Sequence, residues 1–184
     1  MKNKLVVCLS FILIFSLQMH GQKYFSKTGD ITFSSKTPLE DIEAESHTAS
    51  TVFDLESGKI QWAVLIKSFE FEKALMQEHF NENYMESNKY PKAKFAGTIE
   101  DAAKLNLSKD GSTDVVINGD LNIHGVTQSI STNATFTVAE GKITGMSELK
   151  IAVADYNIEI PSVVKDNIAK EITIKIQAHY EALN

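Results

Sequence analysis

Few side chains in this sequence have the reach to do chemistry, and they are scattered. The histidines stand at His20, His47, His79, His124 and His179. No two of them share the H-x-x-x-H spacing that sets a metal-ligating pair on one helix face. The single cysteine, Cys8, follows Val7 and precedes the apolar N-terminal run, the wrong order for lipid acylation. Beyond Cys8 no thiol remains for a disulfide or a nucleophile. The carboxylates at Glu40, Asp41, Glu43 and Glu45, and those between Glu70 and Glu86, lie in polar surroundings and read as solvated faces. No G-x-S-x-G elbow, phosphate-cradling loop or dinucleotide fingerprint occurs. The expectation is a non-catalytic protein with no metal and no cofactor. His124, beside Gly125, is the most suggestive residue, but it sits on polar parity at a hairpin tip and is expected to be solvated or to cap the turn.

Charge narrows the partners. Every one of the 18 basic residues is a lysine, set against 24 acids. An acidic chain without arginine is poorly suited to nucleic acid, where phosphate neutralisation dominates affinity, and it lacks the planar fork that clamps phosphate. Lys2 and Lys4, an apolar run over residues 5–17 and the small Gly21 form a secretory signal, with cleavage expected between Gly21 and Gln22. The run is shorter than the ~20 residues that span a bilayer. Residues 22–184 are expected to form one domain, periplasmic or secreted, with no integral membrane segment.

The elements that position these residues are mostly strands. Residues 114–138 show the clearest pattern. Val115, Ile117, Leu121 and Ile123 alternate with Asn118, Asp120, Asn122 and His124. After His124-Gly125-Val126-Thr127 the parity flips, and Ile130, Ala134, Phe136 and Val138 become the apolar row. Such alternation means a hairpin with one buried face. Alternation also predicts strands ending near Phe33, near 52–55 and at Ile60-to-Ile66, then at 93–99, 143–153 and 170–180, with turns at Gly58 and Glu140-Gly141. Residues 36–50 read as an exposed connection or short helix. Residues 101–111 read as a polar connection with a possible strand near Leu105 and Leu107. Residues 71–85 change period: Phe71, Leu75 and His79 form one stripe, and Met76, Phe80 and Tyr84 its neighbour. This predicts an amphipathic helix of three to four turns, ended by Tyr90-Pro91.

Two strings carry a resemblance. Residues 76–98, MQEHFNENYMESNKYPKAKFAGT, are followed by Gly119-Asp120-Leu121-Asn122-Ile123-His124-Gly125-Val126-Thr127. In this order and spacing the chain resembles the YceI-like family of secreted bacterial lipid-binding proteins, over most of residues 51–180. The resemblance implies an all-β, lipocalin-like extended antiparallel barrel of about eight strands with one inserted amphipathic helix. It also implies an apolar cavity for a polyisoprenoid, such as an isoprenoid quinone or a polyprenyl phosphate, beneath a helical cover. The expected lining is Trp62, Val64, Phe69, Phe71, Leu75, Phe80, Phe95, Leu121, Ile123 and Phe136. Two departures from the family pattern are Gln128, where a lysine usually follows Gly-Val-Thr, and the poorly matching residues 24–50. The alternatives are a filled-core barrel acting as a scaffold or adhesion module, and a small outer-membrane barrel.

Overall fold

Alternation closes on itself. The computed structural model describes residues 22–183, so the expected signal segment lies outside the described residues. Nine strands run in chain order: β1 (Lys23–Lys36), β2 (Asp41–Asp54), β3 (Lys59–Leu65), β4 (Glu70–Phe71), β5 (Lys92–Ile99), β6 (Gly111–Ile123), β7 (Val126–Ala139), β8 (Lys142–Ala152) and β9 (Glu171–Leu183). Their order is β1-β9-β8-β7-β6-β5-β3-β2, and β1 pairs back onto β2. Eight long antiparallel strands thus form a closed barrel, which removes the exposed edges an open sheet would carry. The two-residue β4 pairs beside β2 through Ala44↔Phe71 and Glu45↔Glu70.

The β6–β7 hairpin runs unbroken from Gly111↔Val138 to Ile123↔Val126. Its turn residues have φ of 52° at His124 and 78° at Gly125. Positive φ at both central positions is the turn that matches the strands' right-handed twist. Glu140 and Gly141 repeat the device between β7 and β8.

Residues 36–50 depart from expectation, for most of them belong to β2. The inward side chains are small, Ala44, Ser46, Ala49 and Thr51, all buried. A register shift around Gly29↔Ala49 also breaks the period of two on both β1 and β2. Small inward residues and a bulge together hide the strand. The region near Leu105 and Leu107 holds no strand. A 3₁₀ turn at Ala102–Lys104 instead brings buried Ala102 and Leu105 against one end of the barrel.

The predicted helix is shorter and wound differently. An α-helical stretch α1 (Ala74–His79) continues as a π-helical turn over Phe80–Tyr84, closed by Met85 N–H donating to the Phe80 carbonyl at 2.8 Å. Phe71 falls in β4 rather than in the helix.

At one end the barrel is solid. Tyr24 stacks on Phe53 at 5.0 Å. Phe53 meets Phe136 at 5.3 Å and Tyr180 at 4.9 Å, both edge-on. Gly145 makes this possible, since a Cβ there would stand 2.9 Å from Tyr180 Cε2 and 3.1 Å from Phe136 Cε1. The Tyr180 hydroxyl finds Thr51 Oγ1 at 3.2 Å, and burial pushes its phenol well above the ordinary value. Outward positions such as Asn118, Asp120, Ser129, Ser131, Asn133 and Lys150 are exposed or half-exposed and polar. That is the inverse of a membrane barrel, whose apolar band faces lipid.

Candidate ligand cavity

Above the solid end the same strands surround empty space. An inner cavity of about 160 Å³ is lined almost wholly by hydrocarbon side chains. Its floor is the Phe136–Tyr180 plug, and its walls come from β1, β3 and β5–β9. Eight of the ten residues expected at the lining border it: Trp62, Val64, Phe69, Phe80, Phe95, Leu121, Ile123 and Phe136. Phe71 does not; it borders an adjoining outer cavity of about 200 Å³. Leu75 borders neither and is 62% exposed. The helix begins only at Ala74 and points Met76 and Phe80 inward, which leaves Leu75 facing water.

Local sequence explains the ring positions. Trp62 lies against Gly29, where a Cβ would come 2.9 Å from the indole Cζ3. Gly97 pairs with Gly119 across β5 and β6. A Cβ at either would stand 2.6 or 2.7 Å from Phe95 Cζ, so the two glycines form the bed for that ring. The two strings of the resemblance therefore meet in space. They meet again at Tyr90, whose ring lies 4.6 Å from that of His124, over Gly125, where a Cβ would be 2.5 Å from Tyr90 Cε1.

His124 occupies the turn as expected but is not solvated: its side chain is 11% exposed. Nε2 lies 2.9 Å from Glu86 Oε2, and Nδ1 lies 3.2 Å from the Tyr156 carbonyl oxygen. The ring thus lies between the hairpin tip, the segment after the π-turn and the 3₁₀ turn at Val153–Tyr156, with its donor and acceptor roles set by the tautomer.

The cover over the cavity is aromatic. Phe80 stacks on Phe33 at 5.3 Å and contacts Phe71 at 5.0 Å and Phe69 at 5.9 Å. Ser68 anchors the base of this segment, donating to the Leu65 carbonyl and accepting from Ser46, each at 2.7 Å. Residues that the sequence reasoning left out of the lining include Ile31, Phe33, Met85 and the β9 row Ile172, Ile174 and Ile176. The β9 row was visible as alternation. Only closure of the barrel shows that it faces the space.

The outer cavity lies between α1 and residues 157–170 and shares Phe33, Phe80, Met85, Ile158 and Ile172 with the inner one. It carries polar groups: Ser35, Glu40, His79, Tyr84 and Asn167. Glu40 accepts from Asn167 Nδ2 at 3.1 Å and from Lys73 Nζ at 3.3 Å. The Asn167 hydrogen bond, then Lys73, hold its carboxyl below the usual carboxylate range. Ser35 Oγ accepts from the Ala169 N–H at 2.8 Å and pins residues 157–170 to β1.

The wall forks between β7 and β8. β7 and β8 pair only from Ala134↔Ser147 to Ala139↔Lys142. Where the ladder stops, Ser147 Oγ donates to the Asn133 carbonyl at 2.8 Å and Thr132 Oγ1 to the Glu148 carbonyl at 3.3 Å. Farther out, Gln128 Nε2 donates to the Asp155 carbonyl at 2.8 Å, bridging the gap. Among the described residues no group of three or more His, Cys, Asp or Glu side chains converges in a way that could hold a metal ion.

Comparison with known proteins agrees with this architecture. No curated protein sequence matches the chain. Among solved structures, a polyisoprenoid-binding domain from Saccharophagus degradans, implicated in plant cell wall breakdown, superposes with a TM-score of 0.76 at 18% identity, covering 89% of this chain and 99% of that one. Burkholderia cenocepacia BcnA gives 0.68 at 18% identity, covering 85% and 96%. A Campylobacter jejuni YceI protein gives 0.55 at 19% identity, covering 100% and 99%. At these identities the likeness speaks for the fold. Residues 15–180 also match the YceI-like domain, and on that match the chain belongs to the YceI-like family.

Proposed function

We propose that this protein is a non-catalytic carrier that holds one slim apolar chain of isoprenoid type in the inner cavity. The observation that supports the reading most is the hydrocarbon lining of a space left unfilled inside a closed barrel. A well-packed core leaves few voids, whereas an apolar chain entering such a space gains roughly 25 cal/mol per Å² buried without needing precise polar contacts. The bed of Gly97 and Gly119 under Phe95, and Gly29 beneath Trp62, keep large rings against the wall and the axis open. The likeness to a polyisoprenoid-binding domain is consistent with an isoprenoid rather than a compact ring system. The N-terminal residues 1–21 favour a periplasmic or secreted carrier.

The test is organic extraction of the purified protein followed by mass spectrometry, with cell fractionation alongside. An isoprenoid co-purifying in near-stoichiometric amount is the expected result. Absence of any long-chain lipid, together with no uptake of a prenyl probe by the extracted protein, would return the fold to a scaffold or adhesion role.

A further inference from the structure

We propose that the apolar chain enters and leaves the inner cavity through the side of the barrel, by a window between β7 and β8 that the Gln128 side chain latches. This rests on the carrier reading above and adds the route by which that site is filled. Three observations carry it.

First, packed rings close both ends of the inner cavity. The floor is the plug of Phe53, Phe136 and Tyr180. At the other end Phe33 and Phe80, which border both cavities, stack at 5.3 Å and stand between them. Phe69 and Phe71 brace Phe80. Ile66, Met85, Ile123, Ile151 and Tyr156 pack into one buried cluster that Phe80 also joins. A chain using that end must part stacked rings and expose apolar surface to water.

Second, the wall beside the hollow is parted. In register, the rung after Ala134↔Ser147 would join Asn133 to Glu148. The Ser147 and Thr132 hydroxyls take the two carbonyls of that rung instead, and no ladder pair follows. Ile130 on one side of the break and Leu149 on the other both border the inner cavity, so its sill is hydrocarbon. The residues flanking Ile130 are the small, exposed Ser129 and Ser131. The β2–β3 ladder also stops, at Ser50↔Ala63. There β4 folds back onto β2, and the Ser46–Ser68 hydrogen bond closes the join beside buried Ile66 and Phe69. The β7–β8 break has no such patch.

Third, a single fastening spans the rest of the break. Among the described residues, the only hydrogen bond from residues 126–131 to β8 or to the 3₁₀ turn after it is Gln128 Nε2 donating to the Asp155 carbonyl at 2.8 Å. It is exposed, so water can replace it when the window opens. From Gln128 to Thr132 the strand runs about 13 Å, room for an extended chain to pass sideways.

The experiment uses the purified, lipid-extracted protein and a fluorescent prenyl probe followed by stopped flow. Ser131→Cys with Lys150→Cys is bridged across the window by a short thiol-reactive linker that reductant removes. Glu148→Cys with Lys175→Cys, a pair on the intact β8–β9 ladder, carries the same linker as control. Residues 22–183 hold no native cysteine to compete. The window bridge is expected to slow uptake and release alike by roughly tenfold or more, to leave affinity within about twofold, and to be undone by reductant. The control bridge should change neither rate. Gln128→Ala should speed both severalfold at unchanged affinity. Native rates with the window bridged overturn the side route, and so does a control bridge that slows exchange as much. Unchanged rates in Gln128→Ala overturn the latch. If the unbridged protein binds no probe, the carrier reading itself falls, and the two failures are thereby told apart.

Discussion

At one end of the barrel Tyr24, Phe53, Phe136 and Tyr180 interlock across the axis and leave no space. At the other, Phe33, Phe69, Phe71 and Phe80 cluster just as closely, yet a cavity lies beneath them. Both ends have four rings. The difference is where the rings are rooted. In the plug all four come from long barrel strands and point inward toward one another. In the cover, Phe80 comes from the π-helical turn and Phe69 and Phe71 from the segment around β4, so only Phe33 is rooted in a long strand. Rings on a strand fill the barrel, whereas rings on a connection roof it.

Removing Phe53 should have the largest effect, because it is 1% exposed and touches three other rings. Phe53→Ala is expected to cost about 3–5 kcal/mol in denaturant unfolding while leaving affinity for a prenyl probe within about twofold. If affinity collapsed in parallel with stability, the two ends would not be separable. Phe80→Ala should show the converse: a loss of only about 1–2 kcal/mol for a half-buried ring, with probe release faster by roughly tenfold in stopped-flow measurements. Equal stability losses at Phe53 and Phe80 would erase the distinction between plug and roof.

The fork gives a smaller effect. Thr132→Ala with Ser147→Ala removes the hydroxyls that meet the Asn133 and Glu148 carbonyls, and is expected to cost about 1 kcal/mol. Amide exchange should then rise in residues 128–132 and 148–152 and stay protected in 134–139. Uniform protection along β7 would contradict the fork.

Acid gives the smallest. Glu40 has its carboxyl held down by Asn167 and Lys73, so its contribution to stability is full above the ordinary carboxylate range and is lost as pH falls through its folded value. As the pH is lowered through and below the ordinary carboxylate range, the native protein should lose thermal midpoint slightly more steeply than Glu40→Gln. Parallel slopes would show that the outer cavity's closure does not depend on that carboxylate.

The β6–β7 hairpin was legible in the sequence because the alternation at residues 114–138 is long and strict, whereas the plug was not, since its four rings come from strands that only closure of the barrel brings together. The roof was less so. Residues 36–50 concealed β2, since the bulge near Gly29↔Ala49 breaks the parity and the inward side chains are too small to register as apolar. The π-turn lengthens the winding after His79 and brings Met85 against the inner cavity, while Leu75, on the α-helical turn before it, stays in water. His124 was placed correctly on polar parity, but its burial depends on Tyr90, Glu86 and Tyr156, all distant in sequence. Alternation tells which side of a strand faces in. It does not tell whether what it faces is another side chain or a void.

A closed barrel ordinarily has its girth fixed by strand number and stagger. Here the β7–β8 ladder holds that girth only from Ala134↔Ser147 to Ala139↔Lys142, beside the plug. Around the hollow half the wall is a cuff fastened by the Thr132–Ser147 hydroxyls and by Gln128 on Asp155. Letting the cuff out breaks side-chain fastenings and no rung of the ladder. The girth of the hollow half can therefore change without the loss of a β7–β8 rung, while the aromatic floor fixes its depth.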